Sequence, residues 1–342
     1  MQTVPTPASD APQNFRRKMV GYMLAHEQFP LSELVQIGEL AAHSGFHLLA
    51  TSDHLQPWQA NQGHSGDAWV TLGALGGQSA QSWMGTTVTC PTFRYNPAVV
   101  AQAFASLGLL YPNRVFLGVG SGEALNEAAA TGDWPKWQER WDRLIEAITI
   151  IRQMWSGQHV SHQGTYYKVD ARLYDPPPQP IPLMTAANGK KSMRLAGQYG
   201  DGLITDPKTW KQHKAEWEAG ARAAGKNPRE MPVLVEQYVV VGGTTEAEQA
   251  AALWRFGPQA FKNLYNITDP AVIQQQAEQQ TSLQKVIAEW AVGTDPGVHI
   301  AKIRELFDSG VSIVNIHSGQ PDQRQVVEFY GRNVLPKLGL PA

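Results

Sequence analysis

Apolar segments of strand length alternate with helical segments along the whole chain. Residues 46–50 form a short continuous apolar run, typical of a buried strand, whereas residues 31–43 repeat their apolar side chains at helical spacing. Eight strands are predicted in this way, over residues 18–25, 46–50, 83–88, 115–119, 182–186, 202–204, 233–241 and 312–317. The predicted helices between them cover residues 31–43, 69–78, 97–110, 137–155, 190–199, 210–224, 300–309 and 323–335. This alternation predicts a closed (β/α)8 TIM barrel, with an open doubly wound sheet as the alternative.

The chain is longer than a plain barrel. It has 342 residues, whereas such a barrel needs about 250. Two insertions at the C-terminal face are therefore predicted, near residues 131–182, with a hairpin around Gly164, and near the glutamine-rich residues 245–298. Residues 1–17 are polar and rich in Pro, Ser and Ala, and are predicted to be a disordered lead-in to one domain over residues 18–342. They contain no apolar h-region, so a cytoplasmic location is favoured over export with a signal peptide since removed.

Composition excludes several classes of partner. The net charge is −2, which gives no basic footprint for nucleic acid or an anionic membrane. No run of 18 apolar residues predicts a membrane span. The single cysteine rules out an internal disulfide, and the ten histidines show no ligand spacing, so no metal site is predicted.

An acid, a histidine and a tryptophan directly follow the second predicted strand, in the sequence TSDHLQPW. Side chains at the C-terminal ends of barrel strands face the mouth, where ligands bind. Asp53, His54 and Trp58 are therefore candidate site residues. The alternative is that Asp53 caps a helix and His54 is an ordinary loop histidine.

Other predicted strand ends carry further candidates. Glu27 follows strand one, where it is either a helix cap or a site acid. Residues 87–90 follow strand three, and either approach a ligand or form an ordinary loop. Their Cys90 has no histidine partner in sequence, which favours a buried, inert thiol. Glu123 stands among the glycines of GVGSGEALNE, an arrangement that suits a carboxyl group held against a flat ligand but is not a complete dinucleotide fingerprint.

The fifth predicted strand ends in TAANGKKS, with small residues followed by two lysines at the start of a helix. Glycine permits close approach of a ligand, and a helix N-terminus favours negative charge. This segment is a candidate phosphate cradle.

The motifs SDHLQPW, PTFRYNPAVVAQAFASLGLLYPNRVFLGVGSGEALNE and AANG together resemble the luciferase-like flavin and deazaflavin superfamily. Within it, they are most similar to the F420-dependent glucose-6-phosphate dehydrogenases and hydroxymycolic acid dehydrogenases. The resemblance extends over residues 21–335 and is weakest in the second insertion. It implies a (β/α)8 barrel, a homodimer, and coenzyme F420, an 8-hydroxy-5-deazaflavin that accepts hydride at C5.

The resemblance also implies roles for individual residues. His54 matches the base that takes the substrate hydroxyl proton, Trp58 the aromatic beside the reacting centre, and Glu123 the acid near the reduced ring. Glu27 matches a pocket acid and Asp53 an acid that contacts the cofactor. Thr87 and Val88 match a bulge behind the ring that commonly contains a non-proline cis peptide. Contacts to the ring and phosphate tail are expected from Cys90, Gly122, Asn126, Ala186, Ala187, Asn188 and Gly189. Histidine's ordinary pKa of about 6.5 suits proton abstraction from an alcohol.

One departure from the resemblance concerns the substrate. Lys208 matches a basic residue that holds the sugar phosphate, but Leu264 and Glu289 stand where two others are expected. Lys262 would compensate if its loop shifted. A carboxylate at this place would repel a phosphate, so an uncharged hydroxyl compound is predicted: a sugar, a secondary alcohol or a hydroxy-lipid. The alternatives are a glucose-6-phosphate dehydrogenase proper, an FMN-dependent luciferase-type monooxygenase and a non-catalytic ligand-binding barrel.

Overall fold

The computed structural model describes residues 12–79, 81–256 and 263–340, and its centre is a closed barrel of eight parallel strands. The strands of the chain are β1 Met19–Leu24, β2 Leu48–Thr51, β3 Trp83–Thr86, β4 Val115–Val119, β5 Val160–Gln163, β6 Lys168–Ala171, β7 Leu183–Ala186, β8 Gly202–Thr205, β9 Val233–Val240, β10 Ala291–Val292 and β11 Ile313–His317. The barrel follows the order β1-β2-β3-β4-β7-β8-β9-β11, and β11 pairs back onto β1. The predicted (β/α)8 architecture is confirmed.

The helices are α1 Leu31–His43, α2 Ala68–Gly76, α3 Pro97–Leu110, α4 Glu127–Thr131, α5 Trp137–Trp155, α6 Lys190–Tyr199, α7 Pro207–Ala223, α8 Thr244–Leu253, α9 Pro270–Gln280, α10 Leu283–Ile287, α11 Pro296–Asp308 and α12 Gln323–Phe329. Two of them begin a whole turn earlier than predicted, at residues 207 and 296 rather than 210 and 300. In both, an aspartate caps the first turn and a proline occupies its first position: Asp206 accepts a hydrogen bond from the Thr209 amide, and Asp295 from that of Gly297. At the other end, α12 gives way to a π-helical turn over Tyr330–Val334 rather than continuing to residue 335.

The N-terminal part of the described chain closes the barrel at the end where the strands begin. Residues 13–15 form a short 3-10 helix, and the fully buried Phe15 packs against Trp83 and Phe116, with ring centroids 4.6 and 5.5 Å away. Residues 12–17 of the predicted disordered lead-in therefore have a defined structure, because a large apolar side chain is buried there, and residues 1–11 of it lie outside the described residues. The apolar barrel interior leaves the C-terminal mouth as the place for polar chemistry.

Both predicted insertion segments contain regular structure. The first includes α5 and the antiparallel hairpin β5–β6, which confirms the hairpin around Gly164. The second contains most of α8, together with α9, α10 and the short strand β10, which extends the sheet beside β9. The division into domains stays a prediction. No helix in the described ranges is long and apolar enough to cross a bilayer.

Candidate functional site

A cavity of about 480 Å³ lies at the C-terminal mouth of the barrel. One side is built from small and apolar residues at or just after the C-terminal ends of β3, β4 and β7. Among them are Val88, Gly120, Gly122, Ala186 and Ala187. The other side contains Glu236, Gln237 and Tyr238 of β9 and aromatic residues of the second insertion, among them Trp254, Tyr265 and Trp290. Its volume and mixed lining are typical of small-molecule and cofactor sites.

The small-residue side forms a narrow slot. A Cβ atom at Gly120 would lie 2.7 Å from Val88 Cγ2, and one at Gly122 would lie 2.7 Å from the Cys90 sulfur. Gly122 also has a φ of 74°, which disfavours any other residue there. The peptide between Thr87 and Val88 is cis, as the resemblance implied. A flat ring system fits such a slot, with Glu123 at its edge.

The start of α6 provides an open end to the same cavity. Asn188 lines the cavity and donates to the Tyr265 hydroxyl at 2.8 Å. A Cβ at Gly189 would meet nothing nearer than the Ser192 hydroxyl at 3.9 Å, so a bulky anion can approach the backbone there. The first amides of α6 and the helix dipole favour negative charge at this end.

His54 and Glu27 are brought together beside the cavity. The His54 Nδ1 atom lies 3.4 Å from Glu27 Oε1, and Ser52 donates to Glu27 Oε2 at 2.7 Å. Ser52 in turn accepts from the His26 amide at 3.1 Å, so the buried carboxylate is fixed by the backbone of the loop after β1. Because Nδ1 faces the acid, the Nε2 atom of His54 is the one available to a ligand.

Trp58 packs over this pair, with its ring centroid 5.2 Å from that of His54. It also lies 6.2 Å from the ring of Tyr265, which lines the cavity. Glu27, His54 and Trp58 are thus adjacent to one another, and Trp58 connects them to Tyr265 in the wall of the cavity.

The Asp53 carboxylate is engaged by protein groups. It accepts hydrogen bonds from Thr89 at 2.6 Å, Arg94 at 2.9 Å and Tyr95 at 3.2 Å. Arg94 also joins Asp53 to Glu127, because its backbone amide donates to Glu127 Oε2 at 2.9 Å. Sequence analysis missed Arg94 and Glu127, although both residues lie in the motifs on which the resemblance rests.

Asn126 links two loops of the site. Its side-chain oxygen accepts from the amides of Leu55 and Gln56 at 2.9 and 3.3 Å, and its amide nitrogen lies 3.4 Å from Glu123 Oε2. Asn126 is buried, so it orients Glu123 and the loop after β2 rather than lining the cavity. Cys90 is also buried, and burial raises the pKa of its thiol, in keeping with an inert thiol.

The residues singled out for the substrate separate in space. Lys208 and Glu289 line the cavity, whereas Leu264 is buried beside Trp254 and Phe256 and does not reach it. Lys262 lies outside the described residues. Sequence analysis missed three further cations in the wall, Arg140, Arg255 and Lys285. Among the described residues, the charged lining is balanced, four basic against four acidic: Arg140, Lys208, Arg255 and Lys285 against Glu123, Asp206, Glu236 and Glu289. Within the described ranges, His, Cys, Asp and Glu side chains form no group of three that could hold a metal ion.

Glu127 is expected to make stability depend on pH. Burial raises its pKa from 4.5 to about 7, against the opposing charge of Arg94. The folded state then binds a proton that the unfolded state has already lost, so the contribution of Glu127 to the free energy of unfolding should fall as pH rises from 4.5 to about 7. The size of this contribution is about 3 kcal/mol. Urea unfolding across this range measures how the free energy of unfolding changes with pH. The slope of this dependence should be less negative for Glu127→Gln than for the wild type.

The Glu39→Gln substitution, at an exposed position of α1, provides a control for the loss of one carboxylate. It should retain the wild-type dependence of unfolding free energy on pH. Equal slopes for Glu127→Gln and the wild type would contradict the assignment of this proton to Glu127.

Comparisons with known proteins agree with the fold and the motifs. The luciferase-like monooxygenase family matches residues 15–312. An F420-dependent hydroxymycolic acid dehydrogenase of Mycobacterium tuberculosis is 47% identical, over 93% of this chain and 88% of that protein. An F420-dependent glucose-6-phosphate dehydrogenase of Microbacterium testaceum is 39% identical, over 93% of this chain and 96% of that protein.

A solved structure is similar over nearly the whole barrel. An F420-dependent secondary alcohol dehydrogenase, in complex with an F420-acetone adduct, superposes with a TM-score of 0.88. It is 31% identical, over 94% of this chain and 99% of that chain. The chain therefore belongs to the luciferase-like family and, within it, to the F420-dependent dehydrogenases that these relatives represent.

Proposed function

We propose that this protein is a coenzyme F420-dependent dehydrogenase that oxidises a hydroxyl group of an uncharged substrate. The observation that carries the proposal is the His54–Glu27 pair beside the slot formed by Val88, Gly120 and Gly122. The slot has the shape for a flat ring, and the open start of α6 suits an anionic tail, so the residues present fit this coenzyme. When bound, F420 supplies the hydride acceptor at its C5 carbon.

His54 acts as the base in this proposal. Its Nε2 atom takes the proton of the substrate hydroxyl, while Glu27 Oε1 at 3.4 Å from Nδ1 fixes the ring and stabilises its positive charge. Trp58 limits the rotation of the imidazole and shields it from water. Ser52 keeps Glu27 in place through its 2.7 Å hydrogen bond.

Glu123 holds a carboxyl group at the edge of the slot, where it can donate or stabilise a proton. Asn126 orients it. Val88, Gly122 and Ala186 are proposed to bind the ring, and Ala187, Asn188 and Gly189 the tail. The carboxylate of Asp53 already has three donors, so we propose that it acts mainly by holding the loop that carries His54.

The cavity lining supports a neutral substrate. Four acidic and four basic side chains cancel among the described residues of the lining, whereas a site for a dianionic phosphate needs net positive charge. A glucose-6-phosphate dehydrogenase is the second candidate, favoured by the cations Lys208, Arg255 and Lys285 in the same wall. We expect the purified protein to reduce F420 with simple alcohols or free sugars in preference to sugar phosphates.

The decisive measurement is the absorbance loss of oxidised F420 with alcohols, free sugars and their phosphates, with FMN replacing F420 as the cofactor control. A preference for glucose 6-phosphate over glucose would select the second candidate. Tight binding of FMN without binding of F420 would refute the proposed function altogether.

We further propose that the protein is a homodimer that buries the outer face of α2 and α3. Neither helix contains a charged residue, and Val70, Val99 and Leu110 are 60%, 49% and 65% exposed. Surface helices normally carry a polar outer face, so this apolar, uncharged face suits a second copy of the same surface.

Leu110→Glu is expected to raise the dissociation constant of the dimer by about tenfold or more, because it buries an unpaired carboxylate. Analytical ultracentrifugation over a concentration series measures this change. Val298→Glu, at a 41% exposed position on α11, is the matched control and should leave the dimer intact. An unchanged dimer in Leu110→Glu would place the interface elsewhere.

A further inference from the structure

A short turn of the second insertion carries a tyrosine into the wall of the cavity. The turn is a 3-10 helix over Leu264–Asn266, and it follows Asn263, whose φ is 68°. Leu264 is buried, whereas Tyr265 lines the cavity. The second insertion thereby places an aromatic ring and its hydroxyl group at the mouth of the barrel.

Two hydrogen bonds fix this turn to the chain that follows β4. The amide of Ala124, the residue after Glu123, donates to the carbonyl of Tyr265 at 3.0 Å. The indole N–H of Trp134 donates to the side-chain oxygen of Asn266 at 2.8 Å. The position of Tyr265 is therefore tied to the loop that carries Glu123.

The hydroxyl group of Tyr265 has a proton to donate. Its oxygen accepts a hydrogen bond from the side-chain amide of Asn188 at 2.8 Å. An amide NH2 group only donates, so the tyrosine keeps its own proton for another partner. Among the described residues, no group accepts that proton. Burial raises the pKa of Tyr265 above its ordinary value of 10.0, and the negative charge of Glu123 acts in the same direction, so the hydroxyl stays protonated at neutral pH.

This donor lies between the two ends of the coenzyme site proposed for this protein. The backbone of Tyr265 is bonded to the loop of Glu123, at the edge of the ring slot, and its hydroxyl to Asn188, just before the start of α6. A ligand with its ring in the slot and its anionic group at α6 has to bridge the distance that Tyr265 spans. In flavin-type coenzymes, a hydroxylated ribityl chain joins the ring to the phosphate, and its oxygens accept hydrogen bonds.

The aromatic ring of Tyr265 has a separate contact. Its centroid lies 6.2 Å from that of Trp58, in an edge-to-face arrangement, and Trp58 packs beside His54. A phenylalanine in place of Tyr265 keeps this contact and loses the hydroxyl alone. The two parts of the side chain can therefore be tested independently.

We propose that the Tyr265 hydroxyl donates a hydrogen bond to the ribityl chain of the coenzyme. Tyr265 is then a coenzyme contact that the second insertion contributes, in addition to the contacts from the loops of the barrel. The inference rests on the proposed function for the identity of the coenzyme.

Fluorescence titration tests this contact with F420 and with 8-hydroxy-5-deazariboflavin, which keeps the ring and the ribityl chain but lacks the phosphate. Tyr265→Phe is expected to raise the dissociation constants of both compounds by about five- to tenfold, the usual effect of one lost hydrogen bond. The KM for the alcohol should stay unchanged, because the ring contact with Trp58 is kept. Tyr174→Phe removes the same group at an 87% exposed position outside the cavity, and should bind both compounds as the wild type does.

The outcomes separate the contact from the proposed function. Wild-type affinity for both compounds in Tyr265→Phe would overturn the contact and leave the dehydrogenase function intact. A loss confined to F420 would place the hydroxyl at the phosphate and overturn the assignment to the ribityl chain. A wild type that binds neither compound would overturn both proposals. If Tyr265→Phe weakens the binding of both compounds while no alcohol or sugar reduces F420 on the wild type, the dehydrogenase function fails and the contact stands.

Discussion

His54→Ala is expected to lower kcat/KM for alcohol oxidation by a factor of about 10²–10⁴, the usual contribution of a general base. The substitution removes Nε2 of His54, the nitrogen of this ring that faces away from Glu27, beside Trp58. Binding of F420 should persist, because the slot around Val88 and Gly120 does not include His54. Steady-state reduction of F420 and a fluorescence titration of the coenzyme separate the two effects.

Two controls make this result specific. His64→Ala removes an exposed histidine from the same loop and should retain wild-type kinetics. Added imidazole should restore part of the activity of His54→Ala, since the missing side chain leaves space for it beside Glu27. A loss of less than about tenfold, or no rescue by imidazole, would show that another group takes the proton.

The barrel could be predicted from the sequence because its strands are buried on both faces. Parallel strands covered by helices are continuous apolar runs, and they stand out wherever polar loops interrupt them. Helix starts were predicted less well where polar residues open the helix. Residues 206–209 and 295–297 have little apolar periodicity, and only the aspartate–proline cap marks the first turn.

The candidate site could be predicted only in part, because the sequence pattern marks only the polar residues that directly follow a predicted strand. That rule finds Asp53, His54 and Glu27. It misses Glu236 and Gln237, which lie inside β9. This strand has 8 residues, and its C-terminal half reaches the mouth of the barrel. Polar residues within the strand therefore line the cavity.

Ion pairs between residues that are far apart in the chain could not be predicted from the sequence either. Arg94 is 41 residues from Asp53 and 33 from Glu127, and no spacing rule joins them. Arg255 and Lys285 lie in the second insertion, where the resemblance is weakest. The charge balance of the cavity, and with it the argument about phosphate, therefore depended on the folded structure.

Arg94→Ala is expected to destabilise the fold by about 3–5 kcal/mol, the usual cost of leaving a buried charge unpaired. Arg94 donates to both the carboxylate and the carbonyl of Asp53, at 2.9 and 3.0 Å, and lies 3.6 Å from Glu127. All three side chains are largely buried. Without the guanidinium, the buried Asp53 carboxylate loses its cation, and at a pH well above about 7 the ionised Glu127 loses its cation as well. Chemical denaturation at about pH 9 measures the loss.

A double-mutant cycle with Asp53→Asn tests whether the loss comes from charge. The double variant should recover part of the stability of Arg94→Ala, because one of the two unpaired carboxylates is gone. Arg94→Lys should lie between the wild type and Arg94→Ala, since an ammonium keeps the charge but cannot reach both acids with a planar fork. The loss in Arg94→Ala should also be smaller below about pH 7 than above it, because protonation of Glu127 there removes the other charge. If Arg94→Ala instead loses the same stability at every pH and in both backgrounds, the contribution of Arg94 is packing against Tyr95, whose ring it covers at 4.4 Å.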